Sequence, residues 1–183
     1  LDLGDSGFCT GALIADNLVL TAAHCLFDKD NGARIPADQI RFLAGWRNGR
    51  AAAYRDVRRA IAHPDYVYDG RDRMDRVAYD LALIELDHPV RLPSILPFLA
   101  GGELHEGDRV GVVSYARDRS EAPSLQRSCA VLGGQPGVVV LSCLVDFGSS
   151  GSPIFRFGPD GAQIVSVVSA KAEMGGKPVA LGT

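Results

Sequence analysis

The sequence lacks the features that would point to a nucleic-acid-binding or membrane-spanning protein. Its 183 residues carry 19 Lys and Arg against 22 Asp and Glu, which gives a net charge of −3. This charge predicts no electrostatic attraction to nucleic acid or to an anionic membrane surface. No stretch approaches the roughly 18 uninterrupted apolar residues that a spanning helix needs. With 46% apolar and 22% charged residues, the composition is that of an ordinary globular chain.

The four cysteines include no Cys-x-x-Cys pair, the short spacing that usually marks a structural zinc site. Four cysteines allow three disulfide pairings. Two bridges in an extracytoplasmic protein, secreted or periplasmic, are the favoured interpretation, and no metal is predicted. Residues 1–5 carry two acids and no base, unlike a secretory leader. We therefore expect either that a leader has been removed or that the chain is a fragment.

Short aliphatic and β-branched segments, separated by glycine and proline, predict an all-β fold. The predicted strands are Leu18–Leu20, Ile40–Leu43, Leu81–Leu86, Arg109–Val113, Val138–Leu141 and Ile164–Ser169. Among the helical patterns, only Ala22–Phe27 is typical of a short helical turn. The glycine pair Gly133-Gly134 is one of several that predict a turn between strands.

The middle of the chain predicts a division into two β halves. The proline-rich stretch Pro89–Pro97 and the glycines after it favour a crossing between residues 1–92 and 103–183, which together would form one domain. The charged run Asp69–Arg76 predicts a solvated loop ahead of the strand at residue 81.

Three segments supply the residue types that acyl transfer to a serine requires. They are Thr21-Ala22-Ala23-His24-Cys25, Asp80 before an apolar strand, and Gly148-Ser149-Ser150-Gly151-Ser152-Pro153. A serine hydroxyl needs a neutral imidazole to accept its proton, and the imidazole needs a buried carboxylate to orient it. The oxyanion needs preorganised N–H donors, which a glycine-rich turn can aim at one point. We predict His24 as base, Asp80 as its orienting partner, Ser150 as nucleophile, and the amides of Gly148 and Ser150 as oxyanion donors.

These motifs resemble those of the chymotrypsin-like (trypsin-type) serine proteases. The histidine, aspartate and serine segments match in kind and in order, and Gly-x-Ser-Gly-Ser-Pro is the form common in bacterial members. The resemblance implies two six-stranded antiparallel β-barrels with the active site between them. It implies a serine endopeptidase that acts on polypeptides through an acyl-enzyme and needs no metal or organic cofactor. The chain stops at Thr183, without the C-terminal helix that the family normally has.

The resemblance extends to supporting residues. It implies the disulfides Cys9–Cys25 and Cys129–Cys143, and it assigns substrate-binding positions to Leu144, Val145, Ser169, Ala170 and Lys171. Within that set, the backbone of Ser169 is expected to pair with an extended substrate. An apolar or small pocket is favoured over one for basic side chains. Lys171 is expected either to narrow the pocket or to favour an acidic side chain.

The sequence departs from the family pattern at Ser149, where many members carry an aspartate. In those members the aspartate pairs with an N-terminus released by cleavage and so orders the oxyanion loop. Only eight residues precede Cys9. We therefore expect the loop to be ordered in another way, or not to be ordered constitutively. The alternatives are a catalytically silent or partner-activated binding module and a hydrolase of non-peptide esters. The remaining histidines, His63, His88 and His105, are predicted to be structural or solvated.

Overall fold

The computed structural model describes residues 1–68, 74–159 and 161–183, and in this part the chain forms twelve β-strands arranged in two sheets. The helical segments are short: α1 (Met74–Val77) and the 3-10 helices Gly4–Ser6, Ala23–Leu26, Ala37–Gln39 and Arg117–Arg119. None of the helices in the described ranges has the length and apolar character to cross a membrane. The all-β architecture confirms the fold class expected from the sequence.

The first sheet is open and antiparallel, with strand order β1-β2-β5-β4-β3. Its strands are β1 (Ala12–Ala15), β2 (Leu18–Thr21), β3 (Arg41–Ala44), β4 (Ala53–Ala62) and β5 (Ala82–Leu86). In β5 the side chains alternate between core and surface, so that Ile84 and Leu86 are buried while Leu83 and Glu85 face outward. This alternation is the one expected of a strand with one face toward the core.

The second sheet closes on itself, with the order β10-β7-β8-β9-β12-β11 and a further pairing of β11 with β10. A short seventh strand, β6, pairs in parallel with β11. The strands are β6 (Leu99–Ala100), β7 (Arg109–Ser114), β8 (Ser124–Gln135), β9 (Val138–Leu141), β10 (Pro153–Gly158), β11 (Gly161–Met174) and β12 (Lys177–Gly182). The interior is filled by inward-facing side chains such as Val110, Leu141 and Ile154, all fully buried. Closure of this ring leaves its six strands without a free edge.

Only the first half differs from the expectation of a six-stranded barrel in each half. The second half has a closed ring of six, whereas the first half has five strands among the described residues. A single bridge between Asp2 and Arg41 continues the first sheet beyond β3. The 3-10 turn Gly4–Ser6 bends the chain immediately afterwards, so this pairing does not extend into a sixth strand.

Each of the six predicted strands overlaps an observed strand, and the predicted helical turn corresponds to the 3-10 helix Ala23–Leu26. The turn predicted at Gly133-Gly134 is wrong, because both residues lie in β8 and pair with β9. A Cβ at Gly134 would collide with the carbonyl oxygen of Val138, so this glycine permits a close backbone approach within the hairpin. Most of the predicted loop Asp69–Arg76 lies outside the described residues.

Candidate active site

The predicted base and its orienting carboxylate come from the first sheet. His24 lies on the 3-10 helix that follows β2, and Asp80 lies just before β5, the strand paired with β2. The pairing of Thr21 with Ala82 brings the end of β2 beside the start of β5. Two residues separated by 56 positions in the sequence therefore become neighbours.

Asp80 holds His24 through two hydrogen bonds. Its Oδ2 lies 2.7 Å from Nδ1 of the imidazole, and its Oδ1 accepts the backbone N–H of His24 at 2.8 Å. The Asp80 carboxylate is fully buried, while the His24 side chain is 21% exposed. The ring is thus fixed on its Nδ1 side, which leaves Nε2 available to exchange a proton with a second group.

The hydroxyl of Ser169 donates a further hydrogen bond to Oδ2 of Asp80. Burial is the largest single influence on this carboxyl, and it opposes ionisation. The hydrogen bonds from His24 and Ser169, together with the charge of His24, outweigh burial, so the pKa of Asp80 lies below its ordinary value. An ionised Asp80 keeps the Nδ1 proton on the imidazole and stabilises the imidazolium once it forms.

Ser150 lies in the loop between β9 and β10, in a turn that requires glycine on either side. Gly148 has φ +91° and Gly151 has φ +77°, backbone conformations that side chains with a Cβ rarely adopt. A Cβ on Gly151 would also collide with the hydroxyl of Thr21 and the carbonyl oxygen of Thr10. The turn therefore packs directly against the first sheet. His24 and Ser150 line one cavity of about 250 Å³ between the two sheets.

The two amides predicted as oxyanion donors belong to peptide groups whose carbonyls are held in place. The Phe147 carbonyl accepts the N–H of Arg117 at 2.8 Å, and the Ser149 carbonyl accepts the N–H of Ser152 at 3.0 Å. In a trans peptide the N–H points opposite to the carbonyl. The N–H groups of Gly148 and Ser150 are therefore turned away from these partners, and within the described residues neither donates to a protein acceptor.

The predicted substrate-binding residues divide between two adjoining cavities. Val145, Ser169, Ala170 and Lys171 line the cavity that contains His24 and Ser150. Leu144 instead lines a neighbouring cavity of about 670 Å³, whose wall also includes Val145 and Lys171. Leu144 is therefore the one member of the predicted set that does not line the cavity containing His24 and Ser150.

An ion pair stands where these two cavities meet. Lys171 Nζ lies 3.1 Å from Oδ1 of Asp146, and both residues line both cavities. The same ammonium group lies 4.5 Å from the centre of the Phe147 ring. The hydrogen bond from the Phe147 N–H, followed by the one from Lys171, lowers the pKa of Asp146. The lowered pKa favours the ionised form of Asp146, and the pair forms a polar wall of the cavity beside Ser150.

Both disulfides implied by the resemblance are present, Cys9–Cys25 and Cys129–Cys143. The first joins the neighbours of Thr10 and His24. Its sulfur atoms lie close to the His24 ring, but as a disulfide they are not thiolate ligands for a metal.

The other three histidines lie apart from this cavity. His88 contacts Asp87 at 2.8 Å and His105 lies 4.0 Å from Asp108, both on the surface. His63 stacks on the ring of Tyr79. These surroundings agree with a structural or solvated state for each of them.

Sequence reasoning missed two groups that support the site. The Ser169 hydroxyl, predicted only as part of a substrate-pairing segment, contacts Asp80. Thr10 is 3% exposed and contacts the serine loop, although nothing in its local sequence distinguishes it. Both contacts join residues about 90 or more positions apart in the sequence, so no local pattern encodes them.

Comparison with known proteins gives the family. The sequence model described as Trypsin matches residues 1–136. The chain is 36% identical over 91 residues to the complement C1r subcomponent-like protein of Rattus norvegicus, covering 48% of this chain and 19% of that protein. It is 33% identical over 92 residues to the modular serine protease of Drosophila melanogaster, covering 48% and 14%. It is 32% identical over 114 residues to the trypsin of Phaedon cochleariae, covering 59% and 40%.

The fold is shared with a solved structure titled as a Glu endopeptidase in complex with MPD, at a TM-score of 0.76 and 20% identity. That match covers 95% of this chain and 78% of the other. The chain spans less than half the length of each of the three curated relatives. The family match includes His24 and Asp80 and extends over more than half of the chain. The chain therefore belongs to the trypsin family of chymotrypsin-like serine proteases.

Proposed function

We propose that the chain is a serine endopeptidase that hydrolyses peptide bonds through an acyl-enzyme on Ser150. The observation that carries this proposal is the convergence of Ser150 and the Asp80-bound His24 on one cavity between the sheets. Membership of the trypsin family supports protease activity. The form of the serine motif supports the bacterial type within that family. Residues 1–92 and 103–183 would act together, since each half supplies part of the site.

In the proposed reaction, Ser150 Oγ attacks the carbonyl carbon of the scissile bond while His24 Nε2 takes the hydroxyl proton. The N–H groups of Gly148 and Ser150 stabilise the oxyanion, and each such donor lowers the barrier by about 3 kcal/mol. The intermediate collapses to an ester on Ser150, and His24 returns the proton to the departing amine. A water molecule then attacks the ester while His24 takes its proton, and His24 returns that proton to Ser150 Oγ as the ester bond breaks, which releases the carboxylic acid product and restores the Ser150 hydroxyl.

The two disulfides support an extracytoplasmic location, because such bridges form and persist in oxidising compartments. Mass analysis without reductant tests this. Protein isolated from its natural source should contain no free thiol, whereas four free thiols would contradict the proposed location.

Labelling with a fluorophosphonate tests the proposed activity. An activated serine displaces fluoride from phosphorus, so the intact mass should rise by one phosphonyl group per chain. Ser150→Ala should abolish this labelling, while Ser128→Ala, which removes an exposed serine in β8, should leave it unchanged. Cleavage of peptides as well as simple esters would separate an endopeptidase from an ester hydrolase. Absence of labelling in a folded chain with both disulfides would contradict the proposal and favour the catalytically silent or partner-activated module.

A further inference from the structure

The serine loop needs a support that does not depend on residue 149. A serine stands there, so no carboxylate is available to anchor the loop. Its hydroxyl is buried, yet its two contacts are long: 3.4 Å from the Asp146 N–H and 3.3 Å to the Tyr115 carbonyl. Hydrogen bonds of a hydroxyl are strongest near 2.7–2.8 Å. The Ser149 hydroxyl therefore contributes little to the orientation of the loop.

Thr10 makes shorter contacts to the same loop from the segment that precedes β1. Its Oγ1 donates to the Gly148 carbonyl at 2.9 Å and accepts the N–H of Tyr115 at 3.2 Å. Its backbone N–H donates to the Ser150 carbonyl at 2.8 Å. The Thr10 carbonyl in turn accepts the hydroxyl of Thr21 at 2.8 Å. Every polar atom of this buried residue is engaged, and two of its bonds hold the carbonyls on either side of Ser149.

These two bonds restrain the peptide groups that directly follow the two oxyanion-donor peptides, the 148–149 and 150–151 peptides. With the Gly148 and Ser150 carbonyls held by Thr10, the peptide between Gly148 and Ser149 cannot rotate independently. The Phe147 carbonyl is already held by Arg117. Turning the Gly148 N–H away from the cavity would break the bond from Arg117 to the Phe147 carbonyl, and the Gly148 carbonyl held by Thr10 leaves the adjoining peptide little freedom to follow. An unpaired Gly148 carbonyl in this partly buried setting would also be unfavourable.

The position of Thr10 in the chain links the loop to the base. Thr10 follows Cys9, which is bonded to Cys25, and Cys25 follows His24. The covalent bridge therefore fixes the segment that holds the oxyanion loop relative to the segment that carries the imidazole. One short region of the first half positions two parts of the site.

We infer that Thr10 is a positioning residue that holds the Gly148–Ser150 loop in its oxyanion-binding form through the Gly148 carbonyl, in place of a carboxylate at position 149. This inference rests on the proposed function for its catalytic consequence. The structural consequence, an ordered loop, does not depend on the proposed function. The two can be measured separately.

The test compares Thr10→Val and Thr10→Ser in the full chain. Valine keeps the shape of threonine but removes the hydroxyl, so kcat and the fluorophosphonate labelling rate should fall about 10- to 100-fold, with KM changed less than about twofold. Serine restores the hydroxyl and should bring both rates back to within about threefold of the wild type. Ser166→Ala is the matched control, because it removes another buried hydroxyl, one that donates to the Thr183 carbonyl at 2.6 Å away from the site.

Amide hydrogen exchange provides the readout that is independent of activity. In Thr10→Val the segment 146–150 should exchange about tenfold faster, while segments of β9 and β12 keep their wild-type rates. Wild-type exchange of this segment in Thr10→Val would overturn the inference, and so would wild-type kcat in an active enzyme. If the wild type is neither labelled nor active, the proposed function fails, and the exchange result still decides the role of Thr10.

Discussion

The proposed base and the proposed nucleophile are held in place by different kinds of interaction. His24 depends on one buried carboxylate, which makes two short hydrogen bonds to it, one of them between charged partners when the ring is protonated. The Ser150 loop depends on several neutral hydrogen bonds from Thr10, Arg117 and Ser152. Charge-assisted bonds are about twice as strong as neutral ones. Positioning of the base is therefore concentrated in one residue, whereas positioning of the nucleophile is distributed over the loop.

Replacing the single carboxylate should have the largest effect. Asp80→Asn should lower kcat/KM about 10⁴-fold, because the amide no longer imposes the correct tautomer on His24. The change would be measured with a peptide substrate, with the matched variant Asp87→Asn as control, since Asp87 pairs with the exposed His88. A decrease in kcat/KM of less than about tenfold would show that the proposed role of His24 as base does not depend on Asp80.

The same variant predicts a dependence of stability on pH. The pKa of Asp80 is lowered in the folded state from an ordinary value of 3.8, so its ionised form stabilises the fold above that pH. This contribution is lost as the pH falls below 3.8 through the folded-state pKa. In urea denaturation, the difference in the free energy of unfolding between the wild type and Asp80→Asn should therefore shrink as the pH is lowered from neutral to 3. A difference that stays constant or grows would contradict the direction of the shift.

The packing of the serine loop can be tested at Gly151. Gly151→Ala should lower the free energy of unfolding by about 2 to 4 kcal/mol, because the backbone strain adds to the collision with Thr21 and Thr10. Gly49→Ala is the matched control. Gly49 has a similar φ of +78°, but a Cβ there would meet no described atom within 4 Å. Gly49→Ala should lower the free energy of unfolding by only about 1 to 2 kcal/mol. Equal losses of unfolding free energy in Gly151→Ala and Gly49→Ala, measured by chemical denaturation, would show that the loop is not packed as tightly as the structure indicates.

The two disulfides sharpen the comparison between the halves. Their sequence separations of 16 and 14 residues predict similar losses of about 3 kcal/mol when either is removed by a pair of Cys→Ala changes. The effect on catalysis should differ, because only Cys9–Cys25 joins the neighbours of Thr10 and His24. We expect the rate of fluorophosphonate labelling to fall at least about tenfold further without this bridge than without Cys129–Cys143. Equal labelling rates would remove the proposed link between bridge and site.

The smallest effect on stability is expected at the ion pair beside the cavity. Lys171→Ala removes a half-exposed partner of Asp146, so the free energy of unfolding should change by less than about 1 kcal/mol. The preference for the substrate side chain should change more, because the two cavities meet at this pair. Profiling with a peptide library would show whether larger side chains become acceptable in Lys171→Ala. An unchanged profile would place the specificity elsewhere.

Much of the fold could be predicted because its patterns are local. Strands such as β5 and β9 show aliphatic and β-branched runs, and the helical turn at His24 follows its strand directly. The strand β4 was not predicted, since the exposed Arg58 and Arg59 are consecutive at a register shift and the partly buried Arg55 lies between the buried Ala53 and Val57, which interrupts the apolar alternation. The two-glycine segment of β8 resembles a turn, although close approach to β9 is what requires Gly134.

The all-β class and the three motif-bearing segments follow from the sequence alone, because residue type and short spacing are sufficient to mark them. The contacts of Thr10 with the serine loop, the bond of Ser169 to Asp80 and the position of Leu144 outside the cavity that contains His24 and Ser150 become visible only in three dimensions. Each of these depends on how two sheets meet, and the residues involved are far apart in the chain. A pattern read along the sequence carries information about neighbours within a few positions. Contacts between the two sheets are set instead by how the second sheet packs against the first.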